Sequence, residues 1–321
     1  MQRYGITIPF DGVPLLDQED WIKELADLGY TDFWSAESGG NDGFTPLVLA
    51  ASWAAQARVG SAIIPVYTRG AGTLASCASS LAEAAPGRAI LGIGSSSNVI
   101  VESWNGIPFE KPYQRVRDTV RFLKRALAGE KITEDYETFS VKNYRLGRLP
   151  AEPPKIMIAA LRKGMLGLAG RESDGAILNW LSAEDVKTVA PYVHAGGEGK
   201  ELVARLFVIP SPNKSLVQMI ARRMIAAYLN VPVYAAFHEW LGRGEELKGM
   251  WEAWKAGDRK AATEAIPESL IDQLIIHGTP GECREHVQRY VEAGLHTPVL
   301  AVIPAPEVDL RRVTRELAPE A

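Results

Sequence analysis

Cysteine is scarce in this 321-residue sequence: only Cys77 and Cys283 occur, too few for a disulfide framework, and both fall in helical surroundings without a metal-ligand spacing. No apolar run reaches the ~18 residues that a membrane-crossing helix needs, and MQRYGITIPF at the start reads as a strand rather than a signal core, so the expected location is the cytoplasm. Histidine is absent before position 194. His194, His238, His277, His286 and His296 come late, none in an HExxH arrangement, and His286 and His296 sit near a helix and its end, where a surface role is expected. Gly-x-Ser-x-Gly elbows, Walker loops, internal repeats and low-complexity tracts are missing. Charge of one sign is not in excess: 35 basic against 39 acidic residues leave a net charge of −4, which argues against nucleic acid or an anionic membrane as the main partner.

What is present is a strict alternation. Short apolar runs at 4–9, 32–36, 59–64, 89–94, 155–160, 174–180, 203–210 and 298–304 predict strands, and amphipathic stretches between them predict helices. Residues 17–20, DQED, supply a helix cap and an acidic first turn; Val116, Val120, Leu123 and Leu127 form one face of a long helix. Alternation of this kind implies parallel strands with right-handed crossovers, hence a doubly wound sheet or a closed barrel. Eight strands, an excess of helix-forming residues at about 211–277 and a last helix at 309–317 suit a (β/α)8 TIM barrel of class α/β, with a helical insertion between strands 7 and 8. Composition is even along 1–321, which favours one domain, and 46% hydrophobic residues supply a sizeable core. Residues 129–154 form a partly hairpin-like surface link. Trp240, Trp251 and Trp254 in the insertion make either a lid or a helical core.

Ligands of such a barrel sit at the C-terminal strand ends. In RVGSAIIPVYTR, residues 58–69, Gly60 and Pro65 do not suit a regular central strand and predict a bulge. After Gly92 and Gly94, the hydroxyls of Ser95, Ser96 and Ser97 either donate to the carbonyls of a heterocycle or cap a helix. Arg162, Lys163 and Gly164 open a helix whose free backbone donors and two cations make a phosphate site or a solvated turn. Ser35, Ala36, Glu37 and Asn41 follow the second strand, and Glu37 is either a proton relay or an exposed loop acid.

RVGSAIIPVYTR, LGIGSSSNVIVESWNGIPFEKPYQRVRDTVRFLKRAL, KIMIAALRKG, LGLAGRESDGAILNW and GTPGECREHVQRYVEAGL, in this order, resemble the bacterial-luciferase-like superfamily, above all its coenzyme F420-dependent oxidoreductase branch. The resemblance implies a non-prolyl cis peptide between Ala62 and Ile63, with Ala62, Ile63, Ile64 and Pro65 backing the cofactor ring. It further implies that Ser35, Ser95, Ser96, Ser97 and Asn179 line the cofactor site, that Ala160, Leu161, Arg162, Lys163 and Gly164 hold its phosphate, and that Glu37 is the proton donor. The implied activity is hydride transfer between the deazaflavin C5 and a small organic substrate, by a homodimer. Two departures stand out: the phosphate loop is ALRKG instead of glycine-rich, and Ala36-Glu37 replaces a common acid-histidine pair. The early histidine of the luciferases is missing, which disfavours light emission. The alternatives are an FMN-dependent monooxygenase on the same barrel and a flavin or deazaflavin carrier without turnover.

Overall fold

Eight apolar runs become parallel strands: β1 Gly5–Thr7, β2 Asp32–Ser35, β3 Arg58–Ser61, β4 Ala89–Gly94, β5 Lys155–Ala159, β6 Gly175–Asn179, β7 Glu201–Ile209 and β8 Thr297–Val302. The computed structural model describes residues 2–306 and 308–319. Each strand pairs with the next, β8 pairs with β1, and the ring is closed as a TIM barrel. Because helices cover the outside and side chains fill the inside, both faces of a strand are dry, which is why the strands read as unbroken apolar runs; all six residues of β4 are buried.

The outer ring follows the predicted order, with α1 Glu19–Asp27, α2 Thr45–Trp53, α3 Ala71–Ala84, α4 Pro112–Leu127, α5 Lys163–Glu172 and α6 Ala183–His194. The α4 face of Val116, Val120, Leu123 and Leu127 is buried. Residues 129–154 carry an antiparallel hairpin of Ile132–Asp135 with Ser140–Tyr144. The expected cap at 17–20 does not form. A 3-10 turn, Leu15–Gln18, runs straight into α1, and the buried Gln18 side chain instead accepts from Phe10 N–H and donates to the Val13 carbonyl.

Between β7 and β8 come α7 Lys214–Leu229, α8 Pro232–Trp240, α9 Gly244–Lys255, α10 Arg259–Glu264 and α11 Glu268–Leu274, then a short strand Ile275–His277 beside β7, and α12 Pro280–Glu292. The first five pack among themselves and against Phe207, Ile209 and Ala301, the last inward-facing residues of β7 and β8. The insertion therefore covers one side of the barrel mouth. Its tryptophans act in packing: Trp251 donates to the Leu229 carbonyl and Trp254 stacks under Arg259. His286 is half-buried and stacks on Tyr290, against the surface role read for it, whereas His296 is exposed as expected, its Nδ1 accepting from Leu202 N–H. Helix α13, Leu310–Glu316, capped by Asp309, closes the fold. Among the described residues no helix is long and apolar enough to cross a membrane.

Inside the barrel, Trp34, Ile90, Met157, Ile177, Val203 and Val299 form their own cluster, with Ala62 and Ile63 against it. Trp34 explains two glycines. A Cβ on Gly60 would lie 2.5 Å from its Cζ3 and one on Gly5 3.1 Å from its Cδ1, so the indole crosses the barrel only because β1 and β3 carry no side chain there. The bulge expected from Gly60 and Pro65 forms, but Gly60 itself stays in register with Trp34 and Ser61 with Ser35, so the bulge starts at Ala62. Pairing stops at Ser61 and resumes at Ile64 and Pro65 against Ile93 and Gly94; the Ala62–Ile63 bond between them is cis.

The N-terminal face is laced by charge. Asp32, Arg58, Glu201 and Thr297 are the first residues of β2, β3, β7 and β8. Arg58 donates to Asp32 (2.5 Å), to both Glu201 oxygens (2.9 and 2.6 Å) and to Thr297 Oγ1 (3.2 Å).

Candidate active site at the barrel mouth

The bulge places Ala62 and Ile63, both half-buried, at the rim above the interior cluster, with Ile64 and Pro65 buried behind them. Gly94 permits this packing: a Cβ there would meet Ala159 Cβ at 2.8 Å and Ile63 Cδ1 at 3.4 Å. Next to it stand Ser95, Ser96 and Ser97, all half-buried, with Ser96 in the left-handed region at φ 62°. Their internal bonds are long: Ser95 Oγ to the Ser96 carbonyl at 3.4 Å, and Ile100 N–H to Ser97 Oγ at 3.4 Å. Ser97 is thus a loose cap on the π-helical turn Val99–Trp104, and the hydroxyls keep capacity for a ligand.

On the neighbouring strand end, Ala160 is buried, Leu161 half-buried, and Arg162, Lys163 and Gly164 exposed. Arg162 is the extended N-cap residue of α5 and supplies no side-chain cap, so first-turn N–H groups face outward beside two cations. Among the described residues Arg162 has no ion pair, and a Cβ on Gly164 would meet open space. Free donors plus positive charge fit an anion such as a phosphate.

Ser35 is buried and donates to the Gly43 carbonyl at 2.5 Å. Glu37 is half-buried and fully engaged: Oε1 accepts from Gly43 N–H at 3.0 Å, and both oxygens meet the Arg69 guanidinium, which lies 5.1 Å over the Phe44 ring. The pair ties the loop after β2 to the segment after the bulge. Asn41 is exposed. An anchoring role makes a specific forecast: in a double-mutant cycle, Glu37→Gln and Arg69→Met should couple by about 1–2 kcal/mol in urea unfolding. Coupling near zero would mean that the pair does not hold the loop.

Below the rim lies a layer of which the sequence reading named only Asn179. Four side chains there carry a buried polar atom without a hydrogen-bond partner among the described residues: Thr7 Oγ1, Trp34 Nε1, Asn179 Oδ1 and Arg205 Nε. Asn179 Nδ2 donates to Tyr234 Oη of the insertion at 3.0 Å. The only sequence signal was an arginine inside the apolar run ELVARLFVIP, two residues from an inward-facing valine.

The sequence matches the luciferase-like monooxygenase family over residues 3–297, and the chain belongs to that family of enzymes. It is 26% identical over 311 residues to the 5,10-methylenetetrahydromethanopterin reductase of Methanolobus tindarius, covering 94% of both chains. To the F420-dependent glucose-6-phosphate dehydrogenase of Kineococcus radiotolerans it is 24% identical, over 79% of this chain and 76% of that one. The coenzyme F420-dependent tetrahydromethanopterin reductase of Methanopyrus kandleri has the same fold, with a TM-score of 0.78 at 19% identity over 99% of this chain and 97% of that one.

Proposed function

We propose that the protein is a coenzyme F420-dependent oxidoreductase that moves hydride between the deazaflavin and a small organic substrate. One observation carries this reading: a rim with an apolar wall at Ala62–Ile63, serine hydroxyls beside it and, one strand further round, an uncapped, cationic helix start. A planar ring with polar edges and a phosphate-bearing tail needs those three surfaces. The F420-dependent relatives support the choice of ring over FMN.

When bound, the cofactor supplies the carbon that gives or takes hydride. The chain supplies position: Ala62 to Pro65 back the ring, Ser95 to Ser97 donate to its polar edge, and the start of α5 with Arg162 and Lys163 holds the phosphate. Glu37, bound to Arg69 and Gly43, holds the loop around the ring instead of standing free to exchange a proton. Helices α7 and α8, with Tyr228 and Tyr234, cover the β6–β8 side and limit water access.

Titrating the purified protein with coenzyme F420 and, separately, with FMN, followed by ring absorbance and fluorescence, tests the reading. F420 is expected to bind at least tenfold more tightly. Tighter FMN binding, with NADH-driven oxygen uptake, would replace this function by an FMN monooxygenase.

A further inference from the structure

Among the described residues, Arg205 is a cation without an ion-pair partner. Val203 faces the barrel interior with Trp34, Ile177 and Val299, so Arg205, two residues on along β7, faces the same way one layer nearer the mouth. Its register partners are Asn179 on β6 and Val299 on β8. The next inward residue, Phe207, already packs with the insertion, and the guanidinium lies 5.0 Å from its ring centroid. Arg205 is half-buried, its Nε is fully covered, and among the described residues it makes no hydrogen bond and no ion pair. The well-buried Arg58 and Arg243 show the usual solution, each holding a carboxylate.

The barrel fixes which side of a ligand this cation meets. Strands β3 and β7 lie four places apart in the ring of eight, hence on opposite walls. Resting on the reading that the cofactor ring leans on the β3 bulge, the ring's free face turns towards β7. Whatever exchanges hydride with that face lies between the ring and Arg205.

We infer that Arg205, which stands beside Asn179 on the neighbouring strand, is a specificity-determining residue whose guanidinium pairs with an oxyanion, a carboxylate or a phosphate, on the substrate. Guanidinium binds both by two parallel N–H donors, and the apolar surroundings of the site strengthen the pair. A neutral substrate of the same shape would leave the cation unpaired and bind more weakly.

The test uses the cofactor-free protein and two probes, succinate and inorganic phosphate, against sodium chloride at matched ionic strength. Wild type is expected to gain thermal stability with at least one oxyanion and not with chloride, and calorimetry should give at least tenfold weaker binding for Arg205→Gln, with partial retention in Arg205→Lys. Response to succinate alone assigns a carboxylate, response to phosphate alone a phosphate group. Without anion, Arg205→Gln should be at least as stable as wild type, because it removes an unpaired charge, and should bind coenzyme F420 within twofold of wild type. Equal anion responses in wild type and Arg205→Gln, no response in either, or a strongly destabilised variant would overturn the inference. So would an equal loss of F420 binding, which would hand the cation to the cofactor. If F420 fails to bind but the oxyanion response depends on Arg205, the cofactor reading falls and the anion site stands.

Discussion

Replacing Arg58 by alanine is expected to cost about 3–5 kcal/mol of folding stability at pH 7, measured by urea unfolding, the range for removing one partner of a buried ion pair. Arg58 is 7% exposed and Asp32 0%, so the truncation strands Asp32 and Glu201 as carboxylates in a dry setting. Asp32 keeps Arg3 and the Thr31 hydroxyl; among the described residues Glu201 keeps the Thr297 hydroxyl as its direct side-chain partner. Burial alone would push the Glu201 carboxyl up, but the hydrogen bonds and charge of Arg58 outweigh it and hold the group at about 2. Its folded value is thus depressed, so its stabilisation is complete above the ordinary glutamate range and is lost as pH falls from there towards 2. In Arg58→Ala burial is left unopposed by that cation, and acid sensitivity should move to higher pH. A loss below about 1 kcal/mol would show that the four strand starts do not depend on the network. Residues at this face bear on stability and not chemistry, which belongs to the opposite end of the barrel.

The second large effect lies in the insertion. His238 on α8 is 0% exposed, and neither ring nitrogen has a hydrogen-bond partner of good geometry; the nearby Trp180 backbone pulls only weakly towards the protonated form. Burial first, then the positive charge of Arg243, push its pKa down to about 4, with Asp185 opposing. A depressed histidine stabilises the fold above the ordinary histidine value and loses that contribution as pH falls through the window from about 6.5 to about 4. The expected loss over that window is about 3 kcal/mol. Half-buried His286, also pushed down to about 4 by burial, adds in the same direction. His238→Leu should keep near-wild-type stability at pH 7 and flatten the decline between pH 6.5 and pH 4, read as unfolding midpoints against pH. An unchanged slope would place the acid-sensitive group elsewhere.

Both effects turn on burial and charge set by tertiary packing, and this separates what was legible from what was not. Strand and helix positions followed from local spacing, since a parallel strand dry on both faces needs an unbroken apolar run, as at Ala89–Gly94, and a surface helix needs one apolar stripe, as on α4. The bulge after Ser61 was legible from Pro65 in an otherwise apolar strand. Gly60 was legible as unusual, while its cause, the Trp34 indole lying across it, required two strands side by side. Glu37 was visible as an acid at the mouth, yet Arg69, which engages it, stands 32 residues away in sequence.

Local order of apolar and polar residues was thus enough to specify eight strands, their helices and the insertion. Which charges meet was settled by closure of the ring. Closure brings Glu201 to Arg58, 143 positions apart, and sets Arg205 opposite the β3 bulge without an ion pair among the described residues. Coulomb and desolvation terms depend on distance and burial in space, and a linear sequence carries neither.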